Sequence, residues 1–209
     1  MKKNKISKNW LIKKKNDPFF KQSKIQGYKS RSAFKLIEIN KKFKFLKKET
    51  LVLDLGSSPG GWSQVSSKNI TSGKILAIDI KAMEKINKVD FIQGDFRKHE
   101  IYEKIKTHFS NKIDVVLSDM AENTSGNKTL DSYRTGQLCL DAMTLASKIL
   151  TKDGVFLSKY FMGSIFKEIN EKAKNSFKKV INYKPLSSKK ESKEIYIYCK
   201  GVLKIWYKV

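Results

Sequence analysis

Residues 54–62 read Asp54-Leu-Gly56-Ser-Ser-Pro-Gly60-Gly61-Trp62 and join the apolar run Leu51–Leu55 to a stretch of helical character. This order predicts a buried strand, a glycine-rich turn and a helix. The glycines allow the backbone to approach a ligand at the helix N-terminus. A dinucleotide fingerprint reads G-x-G-x-x-G, whereas Ser58 replaces the second glycine here and Pro59 restricts the turn. The segment therefore predicts a nucleotide-like ligand and disfavours a pyrophosphate.

Short apolar runs continue along the chain and alternate with helical stretches. We expect strands at Leu51–Leu55, Ile75–Ile80, Asp90–Gln93, Ile113–Ser118, Gly154–Tyr160, Lys178–Tyr183 and Glu194–Gly201. This alternation is typical of a parallel sheet with helices on both faces. It predicts an α/β fold with a seven-stranded, mostly parallel sheet. The polar segment Leu186–Lys193 is expected to be a loop, and Leu203–Val209 a further short strand or a packed tail.

Two helices have recognisable ends in the sequence. A 3.6-residue apolar period predicts a helix over Asp131–Thr151, with Gly154 as its stop signal. A second amphipathic helix is predicted to start after Ser30 or Ser32, either of which could cap it, and to end near Asn40.

The net charge of the chain points to a polyanionic partner. Its 209 residues include 44 basic and 20 acidic side chains, which gives a formal charge of +24. Nucleic acid is a better candidate partner than an anionic membrane surface. Only three of the basic residues are arginines, so the coding bias of an AT-rich genome could account for part of the lysine excess.

The N-terminal segment differs in composition from the rest. Residues 1–29 hold ten lysines and a single acid, Asp17, without a sustained helical or strand period. We expect this segment to be a basic N-terminal arm and residues 30–209 to form a single domain. No apolar run approaches the roughly 18 residues needed to cross a bilayer, and no signal-peptide pattern is present. We expect a cytoplasmic monomer with no membrane contact.

The cysteines and histidines carry no recognisable framework. Cys139 and Cys199 are too few for a disulfide scaffold, and His99 and His108 have no cysteine or second cluster beside them. We expect neither a disulfide nor a metal site.

Acidic residues end three successive predicted strands. Asp54 ends the first, and Asp79 ends the second, 18 residues after Gly61, near the spacing at which an acid binds a ribose diol. Asp95 ends the third, where a carboxylate can accept a hydrogen bond from an adenine amino group. Parallel strands place these ends at one sheet edge, where open α/β sheets bind ligands. Three acids there suit a cationic adenosyl ligand better than a phosphorylated one.

The next two strands end in a pair of opposite charges. Asp119 follows the fourth strand in Leu-Ser-Asp-Met-Ala, and Lys159 ends the fifth within an otherwise apolar run. A buried lysine needs a partner, and Asp119 is the obvious candidate. The fourth strand lacks the Asp-Pro-Pro-Tyr-like run of base-amine methyltransferases, and the chain offers no nucleophilic cysteine there for pyrimidine-C5 chemistry.

Together these segments resemble the FtsJ-like RNA 2′-O-ribose methyltransferases, which use S-adenosyl-L-methionine. The resemblance covers nearly the whole chain and rests on residues 30–36, 54–63, 90–96, 117–121, 158–159 and 192–196. It implies a Rossmann-like S-adenosylmethionine-dependent methyltransferase fold. The family's catalytic Lys-Asp-Lys-Glu tetrad would fall on Lys35, Asp119, Lys159 and Glu194. Its cofactor contacts would fall on Gly60, Trp62, Asp79, Asp95 and Asp119.

The resemblance also implies a substrate. The compact bacterial form with a short basic arm methylates a uridine 2′-hydroxyl in the A-loop of 23S ribosomal RNA, and we expect the assembled large ribosomal subunit to be the partner. Phosphate contacts from the arm, with Arg31 and Arg134 as candidates, would hold the RNA. The arm's aromatic residues would pack it down or stack on bases: Trp10, Phe19 and Phe20.

A ribose hydroxyl is a weak nucleophile, so the reaction needs alignment and a group that manages the proton. We expect Lys159 in that role. A neutral Lys159 would accept the proton, whereas a charged one would stabilise the developing alkoxide. Asp119 would orient Lys159, while Lys35 and Glu194 would position the ribose.

Three other functions remain open at this point. The enzyme could act on transfer RNA, mitochondrial ribosomal RNA or messenger caps instead. The fold could serve a non-catalytic ribosome-assembly factor. A nicotinamide dehydrogenase is opposed by the glycine spacing.

Overall fold

The computed structural model describes residues 16–110, 113–122 and 125–203. The helices within these ranges are α1 (Pro18–Ile25), α2 (Ala33–Phe43), α3 (Gly61–Asn69), α4 (His99–Phe109), α5 (Lys128–Ile149) and α6 (Phe166–Ser176). The strands are β1 (Val52–Leu55), β2 (Ile75–Asp79), β3 (Asp90–Gln93), β4 (Ile113–Ser118), β5 (Leu150–Phe161), β6 (Phe177–Tyr183) and β7 (Glu194–Val202).

The seven strands form one sheet in the order β3-β2-β1-β4-β5-β7-β6. Neighbours from β3 to β5 are parallel, whereas β7 runs antiparallel to both β5 and β6. The predicted α/β fold with a seven-stranded, mostly parallel sheet is therefore confirmed. Apart from β5, the strand bounds agree with the sequence prediction to within one residue.

Alternate residues of each central strand point to opposite faces of the sheet. Both sets of side chains are mostly apolar, so helices cover both faces. Leu53 and Leu55 of β1 pack into a core with α4, α5 and α6, whereas Val52 packs into a second core with α2 and α3. A strand buried on both sides needs apolar residues at nearly every position. This explains the continuous apolar runs from which the strands were predicted.

The strand register determines which side chains meet at the carboxyl edge of the sheet. Ser118 of β4 pairs with Ser158 of β5, so the residues that follow them are neighbours. In the antiparallel pair of β5 and β7, Tyr196 lies opposite Lys159. Glu194 starts β7 at the same edge, two residues earlier. The sheet thereby brings residues from distant parts of the chain to one place.

The predicted stop signal of the long helix is wrong. Helix α5 ends at Ile149, and Leu150 already pairs with Ile113 in the sheet. Gly154 lies inside β5 rather than behind the helix. The start of α5 is capped by Asn127, whose side chain accepts hydrogen bonds from two backbone N–H groups of the first turn.

The second predicted helix is shifted at its end. Helix α2 has Ser32 as its N-cap residue, but the Ser32 hydroxyl is hydrogen-bonded to Ser30 and caps no backbone N–H group. The helix continues past Asn40 to Phe43. The Asn40 side chain accepts hydrogen bonds from the backbone N–H groups of two residues in the following turn, which fixes the exit of the chain.

Part of the predicted arm is ordered against the domain. Helix α1 lies within residues 1–29, where the sequence showed no sustained period, and the Asp17 side chain caps it by accepting from the N–H groups of Phe19 and Phe20. The Phe19 ring lies 5.5 Å from the ring of Phe34 in α2, so Phe19 packs the segment down. Trp10 lies outside the described residues.

The remaining predictions concern the loop before β7, the run after it and the two cysteines. Residues 186–193 form the expected loop between β6 and β7. Of the run 203–209, only Leu203 is among the described residues. Cys139 and Cys199 are both buried free thiols. Within residues 16–110, 113–122 and 125–203, every helix is too short or too polar to cross a membrane.

Candidate active site

The turn after β1 depends on glycine. Gly56 has a φ of +72°, and a Cβ atom on it would lie 2.1 Å from Cγ of Met120. Gly60 has a φ of +110°, and a Cβ atom on it would lie 2.5 Å from Cδ1 of Ile86. Any other residue would adopt an unfavourable left-handed backbone and displace a neighbour. The turn thus passes close to the residues after β4 and starts α3 at Gly61.

A cavity of about 300 Å³ opens at the carboxyl ends of β1 to β4. The turn after β1, the residues after β2 and β3, and residues 119–122 after β4 form its walls. Open parallel sheets bind ligands at this edge, and the volume is at the lower end of the range for small-molecule sites. The lining residues include Gly56, Ser58, Asp79, Asp95, Arg97 and Asp119.

Two of the predicted cofactor acids line this cavity and are already anchored. Asp79 accepts hydrogen bonds from the backbone N–H groups of Ser58 at 2.9 Å and Lys81 at 2.8 Å. Asp95 accepts hydrogen bonds from the Arg97 guanidinium group at 2.7 and 2.9 Å, which hold the pKa of Asp95 below its usual value. A ligand that binds Asp95 must therefore share that carboxylate with Arg97.

A third acid lies beneath the turn. Asp54 is 1% exposed and lines a smaller cavity of about 130 Å³, which shares Asp119 with the larger one. Burial raises the pKa of Asp54 to about 7, and the charges of Asp119 and Asp79 add to the rise. A 2.6 Å hydrogen bond from the Ser63 hydroxyl opposes it. A cation bound in either cavity would favour ionised Asp54.

Two other predicted cofactor residues support the turn. Trp62 lines the smaller cavity but is 2% exposed, and its indole N–H donates a 2.9 Å hydrogen bond to the carbonyl oxygen of Ser32. Gly60 lines neither of these two cavities and faces Ile86 and the Lys29 side chain. Direct contact with a cofactor stays a prediction for Trp62 and Gly60.

Asp119 and Lys159 form a close pair at the ends of β4 and β5. The Lys159 ammonium donates a 2.7 Å hydrogen bond to the main-chain carbonyl of Asp119 and lies 3.2 Å from its carboxylate oxygen Oδ1. Burial by itself would raise the pKa of Asp119. The positive charges of Lys159 and Lys35, with hydrogen bonds from Tyr196 and Lys159, outweigh burial and lower that pKa. Asp119 is therefore ionised at neutral pH.

Lys35 and Glu194 form a second pair. Lys35 is on α2, Glu194 starts β7, and their side chains are 2.6 Å apart at Nζ and Oε2. Both side chains are about one-tenth exposed, so each needs the other's charge. The Ser188 hydroxyl donates a 2.8 Å hydrogen bond to the second Glu194 oxygen.

Tyr196 connects the two pairs and was missed by the sequence analysis. Its hydroxyl donates a 2.8 Å hydrogen bond to Oδ1 of Asp119, and its ring centre lies 5.8 Å from the Lys35 ammonium. Burial and the charges of Asp119 and Glu194 raise the pKa of Tyr196 well above its usual value. The signal was present, because Tyr196 is two residues after Glu194 and thus on the same face of β7.

The structure therefore brings the four predicted catalytic residues together. Asp119 belongs to the lining of both cavities and to the charged cluster. Tyr196 joins the Asp119–Lys159 pair to the Lys35–Glu194 pair. A cavity with acidic walls and two buried lysine–carboxylate pairs share one sheet edge.

The two arginines predicted to hold RNA have different surroundings. Arg134 is exposed on α5 and is free to approach a phosphate. Arg31 is partly buried and donates hydrogen bonds to the Asp17 carboxylate and, at 2.5 Å, to the carbonyl oxygen of Ser187. A phosphate contact by Arg31 would have to compete with these internal bonds.

A larger groove of about 600 Å³ lies at the opposite edge of the sheet, beside the amino-terminal halves of β4 and β5. Its lining includes Lys44, Lys47, Lys48, Lys200 and Asp153, but none of the predicted site residues. Amino-terminal strand ends are not where open α/β sheets hold their ligands. The 300 Å³ cavity is therefore the candidate active site.

Comparison with known proteins gives matches along most of the chain. A family model described as FtsJ-like methyltransferase matches residues 28–202. The chain is 52% identical over 200 residues to ribosomal RNA large subunit methyltransferase E of Pelagibacter ubique, which covers 96% of this chain and 98% of the relative. It is 41% identical over 199 residues to the protein of the same name from Acinetobacter baylyi, covering 94% and 92%.

The fold also matches a solved structure. A crystal structure of a Plasmodium falciparum protein, assigned there as a ribosomal RNA methyltransferase, superposes with a TM-score of 0.75 at 36% identity. The match covers 84% of this chain and 99% of the other.

Proposed function

Because the chain belongs to the FtsJ-like methyltransferase family, we propose that it transfers a methyl group from S-adenosyl-L-methionine to a ribose 2′-hydroxyl of large-subunit ribosomal RNA. The catalytic residues in this proposal are Lys35, Asp119, Lys159 and Glu194. The observation that carries it is the double position of Asp119, which lines the cavity and pairs with Lys159. One residue thereby joins the cofactor site to the site of reaction.

The cavity suits a cationic adenosyl cofactor. Its lining holds four acidic side chains, Asp79, Asp95, Asp119 and Glu122, and two basic ones, Lys81 and Arg97. The acidic excess favours a positive ligand. We assign to Asp79 the hydrogen bonds from the ribose diol of the cofactor, and to Asp95 the hydrogen bond from its adenine amino group. When bound, the cofactor supplies an electrophilic methyl group, so the protein needs no nucleophile of its own.

The cysteines support this conclusion. Burial raises the pKa of Cys139 to about 12 and the pKa of Cys199 well above its usual value. Thiols with such pKa values are inert at neutral pH. A methyl transfer that begins with a cysteine nucleophile therefore has no candidate residue among the described part of the chain.

The charged cluster suits the activation of a hydroxyl. Lys159 has its ammonium group fixed by the carbonyl and the carboxylate of Asp119. A neutral Lys159 accepts the hydroxyl proton, and a charged Lys159 stabilises the developing alkoxide; both routes need the nitrogen in this place. Lys35 and Glu194, joined to Asp119 through Tyr196, position the ribose.

The proposed substrate rests on charge and on the relatives. The formal charge of +24 favours an RNA partner, and the two bacterial relatives are named as large-subunit ribosomal RNA methyltransferases. The finer proposal is a uridine in the A-loop of 23S ribosomal RNA, on the assembled large subunit in the cytoplasm. Exposed basic residues such as Arg134 would contact phosphates.

A competition assay tests the substrate. Large subunits from cells that lack ribose methylation are mixed with free 23S ribosomal RNA, transfer RNA and capped RNA, and transfer of labelled methyl from S-adenosylmethionine to each is measured. We expect label on the large subunit, at one uridine 2′-hydroxyl in the A-loop. Preferred label on transfer RNA or caps would contradict the substrate, and no label on any RNA would support the assembly-factor alternative.

A further inference from the structure

The loop between β6 and β7 is fastened to α2 by one carboxylate. Glu38 accepts hydrogen bonds from the backbone N–H groups of Leu186 at 2.7 Å and Ser187 at 3.0 Å. It also accepts bonds from the Ser187 hydroxyl at 3.0 Å and the Tyr183 hydroxyl at 2.8 Å. Four donors thus converge on a single side chain.

The same loop holds the far side of Glu194. The Ser188 hydroxyl donates a 2.8 Å hydrogen bond to Oε1 of Glu194, while Lys35 bonds to Oε2. The Ser192 hydroxyl accepts a 3.2 Å hydrogen bond from the Glu194 backbone N–H. Ser188 is 6% exposed, so its hydroxyl has little access to water as an alternative partner.

Both supports of Glu194 start from one helix. Lys35 and Glu38 are three residues apart on α2, a spacing that places them on the same face of the helix. Lys35 bonds to Glu194 directly, whereas Glu38 holds residues 186–187 next to Ser188. Arg31 adds a bond to the Ser187 carbonyl from the segment before α2. The loop is therefore held through the N–H groups of Leu186 and Ser187 and through the Ser187 carbonyl.

Glu38 is suited to this task at neutral pH. Burial opposes its ionisation, but the hydrogen bonds from Leu186, Ser187 and Tyr183 outweigh burial and lower the pKa of Glu38. A charged acceptor gives stronger hydrogen bonds than a neutral amide.

We propose that Glu38 is a positioning residue for Glu194: it fixes the loop so that the Ser188 hydroxyl orients the Glu194 carboxylate toward Lys35. This inference rests on the proposed function, because it assigns Glu194 to the methyl transfer. Within the described part of the chain, the hydrogen bonds of Glu38 go to Tyr183, Leu186 and Ser187, and none goes to a predicted catalytic residue.

The test compares three variants with the wild-type enzyme. Glu38→Gln weakens the loop attachment, Ser188→Ala removes the last hydrogen bond to Glu194, and Ser188→Thr keeps a hydroxyl. Glu191→Gln is the matched control, because Glu191 is an exposed glutamate in the same loop. Methyl transfer to large subunits, affinity for S-adenosylmethionine and tryptic cleavage after Lys189 and Lys190 are measured for each.

We expect kcat to fall about 10- to 100-fold in Glu38→Gln and Ser188→Ala, with KM for the subunit and cofactor affinity changed less than about threefold. Cleavage in the loop should accelerate in Glu38→Gln and stay near wild type in Ser188→Ala. Ser188→Thr should recover most of kcat, and Glu191→Gln should match the wild type.

Other outcomes overturn the inference. If the wild type is active and kcat of Glu38→Gln and Ser188→Ala stays within about twofold of it, the positioning role is wrong while the proposed function stands. If both variants lose cofactor affinity in proportion to kcat, Glu38 only supports the fold. A wild type that is inactive on every RNA would overturn the proposed function, and the positioning role with it.

Discussion

Lys159 contacts Asp119 twice, through a 2.7 Å hydrogen bond to its main-chain carbonyl and a 3.2 Å approach to its carboxylate. The first contact fixes the position of the Lys159 ammonium group relative to the backbone that follows β4. The second places the charge of Lys159 beside Asp119, which lines the candidate active-site cavity. A change at Asp119 should therefore affect both the cofactor site and Lys159.

The Lys35–Glu194 pair predicts a large loss of stability when one partner is removed. Lys35→Met leaves a nearly buried carboxylate without its counter-charge, which should lower the free energy of unfolding by about 3 kcal/mol in urea titrations. The double variant Lys35→Met/Glu194→Gln should recover part of this loss. The exposed pair Lys167–Glu171 is the control, since Lys167→Ala should cost less than about 0.5 kcal/mol. If Lys35→Met and Lys167→Ala lost the same free energy of unfolding, the Lys35–Glu194 pair would not behave as a buried ion pair.

Tyr196→Phe should change the acid limb of the pH–rate profile. The Tyr196 hydrogen bond is one of the causes that lower the pKa of Asp119, so its removal should raise that pKa. The acid limb of kcat should then move to higher pH than in the wild type. Tyr102→Phe, on α4 and outside the charged cluster, serves as a control and should leave this limb in place. An unchanged limb in Tyr196→Phe would show that Asp119 does not control it.

Asp54 predicts a specific pH dependence of stability. Its ordinary pKa is 3.8, and burial raises the folded-state pKa to about 7. The unfolded chain therefore loses this proton at lower pH than the folded protein. The Asp54 contribution to stability is present below about pH 4 and is lost as the pH rises to about 7.

The comparison with Asp54→Asn isolates this effect. The free energies of unfolding of wild type and variant are measured without cofactor. Between pH 5 and pH 7.5 the wild type should lose stability relative to Asp54→Asn. A constant difference over that range would mean that Asp54 is ionised throughout.

Gly56 and Gly27 provide a matched pair of glycines. Their φ angles are +72° and +70°, so an alanine is strained to a similar degree at both. A Cβ atom on Gly56 would collide with Met120 in the cavity wall, whereas one on Gly27 meets nothing within 4 Å. Gly56→Ala should lower the affinity for S-adenosylmethionine at least about 10-fold, and Gly27→Ala should leave it unchanged while costing about 1 kcal/mol of stability. Equal affinities, measured by calorimetry, would argue against the role of the turn.

The sequence predicts the sheet well because each central strand is buried on both faces and so carries an uninterrupted apolar run. The Asp119–Lys159 pair could also be predicted, since both residues end neighbouring parallel strands. Gly154 misled the analysis because a glycine after a helical period normally stops a helix. Here Leu150 enters the sheet directly and overrides that local signal.

Contacts between distant segments were harder to predict. Lys35 and Glu194 are 159 residues apart, and only the family resemblance suggested that they meet. The hydrogen bonds of Glu38 to the loop before Glu194 depend on how α2 docks beside β6, which no local pattern encodes. The partner of Asp95, Arg97, was two residues away and could have been found from the spacing alone.

The most direct test of the account is methyl transfer by Lys159→Ala under single-turnover conditions, with large subunits that lack ribose methylation. Lys200→Ala is the matched control, because Lys200 is an exposed lysine on the neighbouring strand β7. The account predicts at least about a 100-fold lower rate for Lys159→Ala, with S-adenosylmethionine and subunit binding retained, and a wild-type rate for Lys200→Ala. A Lys159→Ala enzyme that methylates the same 2′-hydroxyl at the wild-type rate would contradict it.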